Sequence, residues 1–302
     1  MTDSLKRTEY YYNTDNVLQN VAVWEFPEDT KAAAPSSSSP GATKKYWLIF
    51  VHGGAWRDPR ATFNEAEPTL NTLLDPKSQW HLPDAASRIA GFASINYRLS
   101  THPAFTQDPE HTPAFATRAA RHPDHLVDVQ AALRFLQGRF GFGSDYVFFG
   151  HSAGAFLNYQ VLLGGGDEDG VVLPVAAVGF EGIYDLVGLN ERMEGNYSSF
   201  IEAAFGTDRG VWKEAAPATA AGSFKKWSDG AGRLAVLAHS PDDELVDMPE
   251  VGTMEERLRA DGVPNVVVFR DLKGGHFEVL NDGSFARVLV KTFEELEKLD
   301  KA

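Results

Sequence analysis

Residues 146–154 read Tyr-Val-Phe-Phe-Gly-His-Ser-Ala-Gly, an apolar run that leads into the pattern Gly-x-Ser-x-Gly around Ser152. A continuous apolar run is typical of a strand that is covered on both faces of a mostly parallel sheet. The residues after Gly154 have the apolar spacing of a helix. A serine on the tight turn between such a strand and helix is exposed at the end of the sheet and can attack a substrate. We therefore predict that Ser152 is a nucleophile; the alternative is a serine that only caps the helix.

Similar segments lie on both sides of this turn. Five further apolar runs after residue 45 and an earlier run near the N-terminus indicate strands, at 21–26, 46–51, 92–97, 174–180, 234–238 and 265–269. Helical spacing is found at 126–140, directly after Gly154, at 254–260 and at 285–299. Strands that alternate with helices predict an α/β-hydrolase fold, in which a mostly parallel, doubly wound sheet has helices on both faces.

The 302 residues are expected to form one domain, 1–302. The polar, serine-rich stretch around 31–44 is predicted to be a flexible loop within that domain, because the segment before it is too short to fold alone. Residues 57–83 and 100–123 are predicted to be long loops near the site. Loops at the carboxyl ends of parallel strands are where ligands bind in such sheets.

The composition excludes several classes of function. A net charge of −14 argues against binding to nucleic acid, and the absence of cysteine excludes disulfides, thiolate metal sites and a cysteine nucleophile. The first residues lack the apolar run of a signal peptide, and no stretch approaches the roughly 18 apolar residues of a membrane span. We therefore expect a cytoplasmic protein that does not bind membranes. The nine histidines show no metal-ligand spacing, so neither a metal nor another cofactor is predicted.

Two later segments supply partners for the serine in the order Ser, Asp, His that this fold requires. The run 234–238 leads into His239-Ser240-Pro241-Asp242-Asp243-Glu244-Leu245-Val246. Asp243 has the spacing of the hydrolase pattern His-Gly-x-x-Asp-x-x-Val and is the preferred acid, with Asp242 as the alternative. His276 follows the last predicted strand in a glycine-rich loop and is the predicted base. Its alternative is an ordinary surface histidine.

These residues together predict acyl transfer. Ser152 Oγ attacks a carbonyl carbon, His276 takes the proton and later delivers it to the leaving group, and Asp243 orients the imidazole. The oxyanion is expected to bind to the backbone amides of Gly54, Ala55 and Ala153. The first two belong to the His-Gly-Gly-Ala-Trp turn after the strand 46–51, the usual place of such donors. The alternative is a simple glycine turn.

The chain also resembles the fungal and yeast-type kynurenine formamidases, or arylformamidases. The matching blocks are spread over residues 46–285: 51–59 (VHGGAWRDP), 97–100 (YRLS), 150–155 (GHSAGA), 181–186 (EGIYDL), 239–245 (HSPDDEL) and the segment around His276. The resemblance implies hydrolysis of N-formyl-L-kynurenine to L-kynurenine and formate through a formyl-enzyme, in tryptophan catabolism and NAD biosynthesis. It also implies a homodimer. The serine-rich insert and the 100–123 loop depart from the family pattern.

Aromatic residues beside the predicted catalytic positions are candidates for substrate binding. Trp56 and Phe277 are expected to stack on the substrate ring, the alternative being ordinary core packing. Tyr184 and Asp185 are candidates for contact with the amino-acid end of the substrate, although Asp185 could equally cap the next helix.

Two other functions compete with formamide hydrolysis. A broad-specificity carboxylesterase of the hormone-sensitive-lipase group uses the same His-Gly-Gly and Gly-x-Ser-x-Gly segments. A ligand-binding receptor on a hydrolase scaffold should have lost a member of the triad, yet Ser152, Asp243 and His276 are all present.

Overall fold

The computed structural model describes residues 5–27, 44–164, 170–229 and 232–301. The predicted flexible loop around 31–44 lies, apart from Lys44, outside the described residues. Eight strands lie within the described ranges: β1 (Lys6–Tyr11), β2 (Asn20–Glu25), β3 (Tyr46–Val51), β4 (Ile89–Ile95), β5 (Tyr146–His151), β6 (Ala176–Phe180), β7 (Leu234–Ala238) and β8 (Val266–Phe269).

The strands form one sheet in the order β1-β2-β4-β3-β5-β6-β7-β8. β2 pairs antiparallel with both β1 and β4, and all pairings from β4 to β8 are parallel. Every residue of β3 and β5 is buried, as expected for central strands that are covered on both faces. The predicted mostly parallel sheet is therefore confirmed.

Helices cover both faces of this sheet. They are α1 (Glu67–Leu74), α2 (Ala85–Arg88), α3 (Asp124–Phe140), α4 (Ala153–Leu163), α5 (Leu186–Arg192), α6 (Ser198–Phe205), α7 (Arg209–Ala215), α8 (Lys225–Ser228), α9 (Pro249–Ala260) and α10 (Ser284–Leu299). Alternate residues of β3 enter opposite cores, Ile49 with residues of α3 and α4, and Phe50 with residues of α1 and α10. This two-sided packing is the doubly wound arrangement that the sequence predicted.

The prediction that residues 57–83 form a long loop is wrong in part. This segment contains a 3₁₀ turn at Phe63–Ala66 and the helix α1, which buries Leu70 and Leu73 against the sheet. The second predicted loop, 100–123, contains only one short 3₁₀ turn, at Ala114–Ala116, among its described residues. In the described part of the chain, no helix is both long and apolar enough to span a membrane.

Candidate active site

Ser152 occupies the turn between β5 and α4. Its backbone has φ 54° and ψ −119°, a conformation that is costly for a residue with a side chain and that recurs at functional sites. The Ser152 N–H donates to the carbonyl oxygen of Phe180 at 2.9 Å, which ties the turn to the end of β6. Gly150 must be glycine here, because a Cβ atom would lie 2.6 Å from the backbone of Gly154. The local packing thus holds the serine at the carboxyl end of the sheet.

His276 and Asp243 meet beside this turn. The Nδ1 atom of His276 lies 2.8 Å from Oδ2 of Asp243, whose side chain is fully buried. The other carboxylate oxygen accepts hydrogen bonds from the N–H groups of Leu245 and Val246. Burial disfavours the charged form of Asp243, but the bond from His276 and the two amides outweigh it, so its pKa lies below the usual value. The alternative acid, Asp242, is exposed.

Ser152 and His276 line one cavity of about 230 Å³. Pockets for drug-sized ligands usually measure about 300–1,000 Å³, so this cavity lies below that range. The Ser152 hydroxyl makes no hydrogen bond to the His276 ring among the described contacts, and such bonds often tighten only when substrate binds. The lining residues are Gly54, Ala55, Arg57, Asp58, His102, Ser152, Ile183, Tyr197, Phe200, Leu245, Val246, His276 and Phe277.

Two of the three predicted oxyanion-binding residues line this cavity. Gly54 and Ala55 line it with φ values of 84° and 50°, and Ala153 follows the serine directly as the first residue of α4. Among the described residues, none of these three N–H groups donates to a protein acceptor. A Cβ atom on Gly53 would lie 3.1 Å from the Cβ of Ser152, so a glycine lets the two turns approach closely. The three N–H groups therefore have no competing protein acceptor among the described residues, and their binding of an oxyanion stays a prediction.

Two predicted substrate-binding residues are buried away from the cavity. Trp56 is 0% exposed and packs edge-to-face against Phe156 and Phe205, so the alternative of core packing holds for it. Tyr184 is 1% exposed and lies against Gly179 and Gly182, where it too is core. The predicted substrate contacts of Trp56 and Tyr184 are therefore corrected.

Two neighbouring predictions have different outcomes. Phe277 lines the cavity and is 53% exposed, so its stacking on a substrate ring stays a prediction. The side chain of Asp185 accepts hydrogen bonds from the N–H groups of Val187 and Gly188, so this residue caps α5.

Sequence reasoning missed Glu181 as a member of the site. This residue follows β6 with φ 46°, and its side chain is 0% exposed. Its Oε2 atom lies 3.4 Å from Nδ1 of His276 and 3.6 Å from Nε2 of His151. Burial, together with the adjacent Asp243, raises the pKa of Glu181 to about 10. An acid directly after a parallel strand was the available signal, because the carboxyl ends of β5 to β8 meet at one edge.

His151, Glu181 and His276 each place one possible ligand atom within 4.8 Å of the others. Both ring nitrogens that face this group have other partners. His151 Nε2 lies 3.0 Å from the carbonyl oxygen of His276, and His276 Nδ1 bonds to Asp243. The two histidine nitrogens are thus already engaged in hydrogen bonds, and the absence of a metal stays a prediction.

Arg57 was also missed, and it brings a cation to the cavity wall. Its guanidinium donates to Ser199 Oγ at 3.2 Å and lies over the ring of Phe200. No carboxylate of the described residues pairs with it within 4 Å, and partial burial lowers its pKa. The neighbouring Asp58 is already bound by Arg60 through two N–H···O bonds. The cavity therefore has one cation without an acidic partner.

The comparisons with known proteins give named relatives, although no family model matches the chain. The chain is 37% identical over 267 residues to a kynurenine formamidase-like hydrolase of Fusarium equiseti, covering 85% of this chain and 86% of that protein. It is 33% identical over 293 residues to a kynurenine formamidase of Aspergillus versicolor, covering 89% and 92%. A kynurenine formamidase of Meyerozyma guilliermondii is 31% identical over 72% of this chain and 73% of its own.

Two of the solved structures that resemble this one are an esterase/lipase and a carbohydrate esterase. An esterase/lipase from an uncultured bacterium superposes with a TM-score of 0.63 at 17% identity, covering 98% of this chain and 86% of the other. A truncated carbohydrate esterase from gut microbiota has a TM-score of 0.64 at 15% identity and covers 98% of both chains. At such identities the likeness establishes the α/β-hydrolase fold and nothing about the substrate.

Proposed function

The chain belongs to the kynurenine formamidase family of hydrolases, and we propose on that basis that it hydrolyses N-formyl-L-kynurenine to L-kynurenine and formate. Ser152, His276 and Asp243 are the proposed catalytic triad. The cavity supports this reading most directly, because it places Ser152 and His276 beside an unpaired cation, Arg57. An aryl formamide that carries an amino-acid end needs a nucleophile with its base, to cleave the amide, and a cation, to bind the carboxylate.

The proposed reaction has two halves. Ser152 Oγ attacks the formyl carbon while Nε2 of His276 takes the hydroxyl proton, and the oxyanion binds to the amides of Gly54, Ala55 and Ala153. Collapse of this intermediate breaks the C–N bond, and His276 returns the proton to the aniline nitrogen, which leaves a formyl ester on Ser152. Water, deprotonated by His276, then attacks that ester and releases formate and the free serine.

The substrate's chemistry suits this site. A formyl group is the smallest acyl group, so a small cavity suffices for it. The formanilide nitrogen is partly delocalised into the aromatic ring, which weakens the amide towards esterase-like groups. Phe277, exposed on the cavity wall, is the proposed stacking partner of that ring.

Arg57 is the proposed partner of the substrate's α-carboxylate. A guanidinium without an acidic partner gains most from an incoming carboxylate, which it can bind through two parallel N–H···O bonds. This contact would separate N-formyl-L-kynurenine from a simple ester, which has no charge at the corresponding end.

Side-by-side turnover tests the proposal. Purified protein should release equimolar formate and kynurenine from N-formyl-L-kynurenine, with kcat/KM above that for p-nitrophenyl acetate and butyrate. Ser152→Ala should abolish both reactions and the labelling of the wild type by a fluorophosphonate. If the esters react faster by orders of magnitude, the carboxylesterase alternative replaces the formamidase. If the wild type is not labelled at all, the receptor alternative does.

We also propose that residues 1–302 form one domain and that the protein acts as a homodimer. A single sheet carries both hydrophobic clusters of the described residues, which supports one cooperative unit. Light scattering during gel filtration measures the oligomeric state, and a single thermal unfolding transition is expected.

A further inference from the structure

We propose that Glu181 is a positioning residue: it is held as a neutral carboxylic acid that donates its proton to Asp243 and thereby fixes the pair of Asp243 and His276. This inference rests on the proposed catalytic roles of Ser152, His276 and Asp243. It does not depend on the identity of the substrate.

The first observation is where the Glu181 carboxyl group lies. Both Asp243 Oδ2 and Glu181 Oε2 approach the same atom, Nδ1 of His276, at 2.8 and 3.4 Å. Two carboxyl groups therefore crowd one imidazole N–H, which can make only one good hydrogen bond. No Lys or Arg of the described residues lies within 4 Å of Glu181, and the backbone N–H of Ser240, which favours the ionised form, does not outweigh burial and the adjacent Asp243. A buried acid left in this state is costly unless it carries a proton.

The second observation is that Asp243 is the better acceptor of the two. Its carboxylate receives the His276 N–H and two backbone amides, whereas the Ser240 N–H does not offset the burial of Glu181. Two adjacent buried carboxylates cannot both be ionised at low cost. The negative charge therefore rests on Asp243 and the proton on Glu181.

The surrounding groups do not alter this balance. Burial lowers the pKa of His151 and of His239, so both imidazoles are neutral neighbours. The other acid that faces the cluster, Glu244, is exposed and accepts from the backbone N–H of His276. Among the described residues, Asp243 is thus the buried negative charge that the imidazolium of His276 meets during turnover.

A neutral Glu181 has a direct consequence for the histidine. An ionised Glu181 would compete with Asp243 for the proton on Nδ1 of His276. It would thereby pull the His276 ring away from its hydrogen bond with Asp243. A protonated Glu181 instead donates to Asp243 and leaves the aspartate as the single acceptor. The ring of His151, 4.5 Å from that of His276, packs against the same imidazole. The Nε2 atom of His276 is then held ready to take the proton of Ser152.

Replacing Glu181 in two ways separates these roles. Glu181→Gln keeps the shape and supplies an amide N–H in place of the carboxyl O–H, whereas Glu181→Ala removes the donor. The matched control is Glu250→Gln, because Glu250 is equally buried but contacts Tyr184, Asp185 and Arg192 instead of His276. For each variant, kcat/KM is measured from pH 5 to 9 with p-nitrophenyl acetate and with N-formyl-L-kynurenine, together with the rate of fluorophosphonate labelling and the Tm.

We expect Glu181→Gln to keep kcat/KM within about tenfold of wild type. Glu181→Ala should lower kcat/KM by about a hundredfold, as removing a hydrogen-bond partner of a metal-ligating histidine does at most. The pH at which its kcat/KM reaches half of the plateau should also move. Glu250→Gln should lower the Tm without moving the pH profile.

Three results would overturn the proposal. If Glu181→Ala keeps the wild-type kcat/KM and pH profile, the side chain serves packing alone. If Glu181→Gln falls as far as Glu181→Ala, an ionised carboxylate is required. If a metal copurifies with the wild type and is lost from Glu181→Gln, the cluster binds a cation. If the wild type does not release formate, the formamidase assignment alone is refuted. The effect of the Glu181 variants can still be measured by p-nitrophenyl acetate turnover and by fluorophosphonate labelling.

Discussion

Gly154 packs its Cα atom directly against the carbonyl oxygen of Val51: a Cβ atom added there would lie 2.1 Å from that oxygen. Val51 is the last residue of β3, and Gly154 is the second residue of α4. The contact thus joins the turn that carries Ser152 to the turn that carries the proposed oxyanion donors. Their spacing depends on a glycine rather than on a side chain.

Gly154→Ala should therefore disable the site. The new methyl group overlaps backbone atoms, which cannot move aside as a flexible side chain can, so α4 must shift away from β3. A displacement of about 1 Å at reacting groups can cost about a hundredfold in rate, and we expect at least that loss in kcat/KM. Gly138→Ala is the control: its Cβ meets no atom within 4 Å, and alanine in a helix is favoured by about 0.5–1 kcal/mol. Equal activity of the two variants would show that the close contact is dispensable.

Asp243→Asn should lower kcat by about ten-thousandfold, because an amide can hold the imidazole in the wrong tautomer. Asp242→Asn, one residue away and exposed, is the matched control and should stay within about threefold of wild type, as expected for a surface substitution away from the reacting groups. The comparison uses kcat at saturating substrate and the rate of fluorophosphonate labelling. A severe loss in Asp242→Asn with a mild one in Asp243→Asn would exchange the two assignments.

The sequence predicted the interior of the fold better than its edges. The strands 46–51 and 234–238 are recovered residue for residue, because buried parallel strands are continuous apolar runs. β1 was missed, since this edge strand is largely exposed and lacks such a run. The four helices between β6 and β7 are only four to eight residues long, too short to establish a helical period.

For the site, chain order predicted which residues approach each other but not which way side chains point. His276 and Asp243 could be paired because each follows a strand at the same edge of the sheet. Trp56 lies one residue beyond the cavity-lining Ala55, and only the backbone of that turn, with φ 58° at Trp56, determines that the indole enters the core. Glu181 also follows a strand at this edge, β6, which is the same signal. It was interpreted only as part of a block that resembles the family.

Arg57→Met should impair recognition of the amino-acid end, because it removes the guanidinium and keeps an unbranched, uncharged side chain. A hydrogen bond to a charged group contributes about 1.5–3 kcal/mol, so kcat/KM for N-formyl-L-kynurenine should fall by about 10- to 150-fold. Formanilide, which lacks the carboxylate, should lose much less. Arg209→Met is the control, since Arg209 is 53% exposed, pairs with Glu191 and does not line the cavity. Equal losses on both substrates would remove Arg57 from carboxylate binding.

The proton on Glu181 also predicts how stability depends on pH. Its pKa is about 10 in the folded protein, against an ordinary value of 4.5, so between these values the folded state keeps a proton that the unfolded chain releases. Because the unfolded state binds fewer protons, the free energy of unfolding falls as pH rises through this window. Glutamine has no such proton, so the Tm of Glu181→Gln relative to wild type should increase steadily from pH 5 to pH 9. Glu202→Gln, at an exposed position of α6, should show no such trend. A constant difference for Glu181→Gln would mean that Glu181 is ionised in the folded protein, and a neutral acid beside Asp243 would then be untenable.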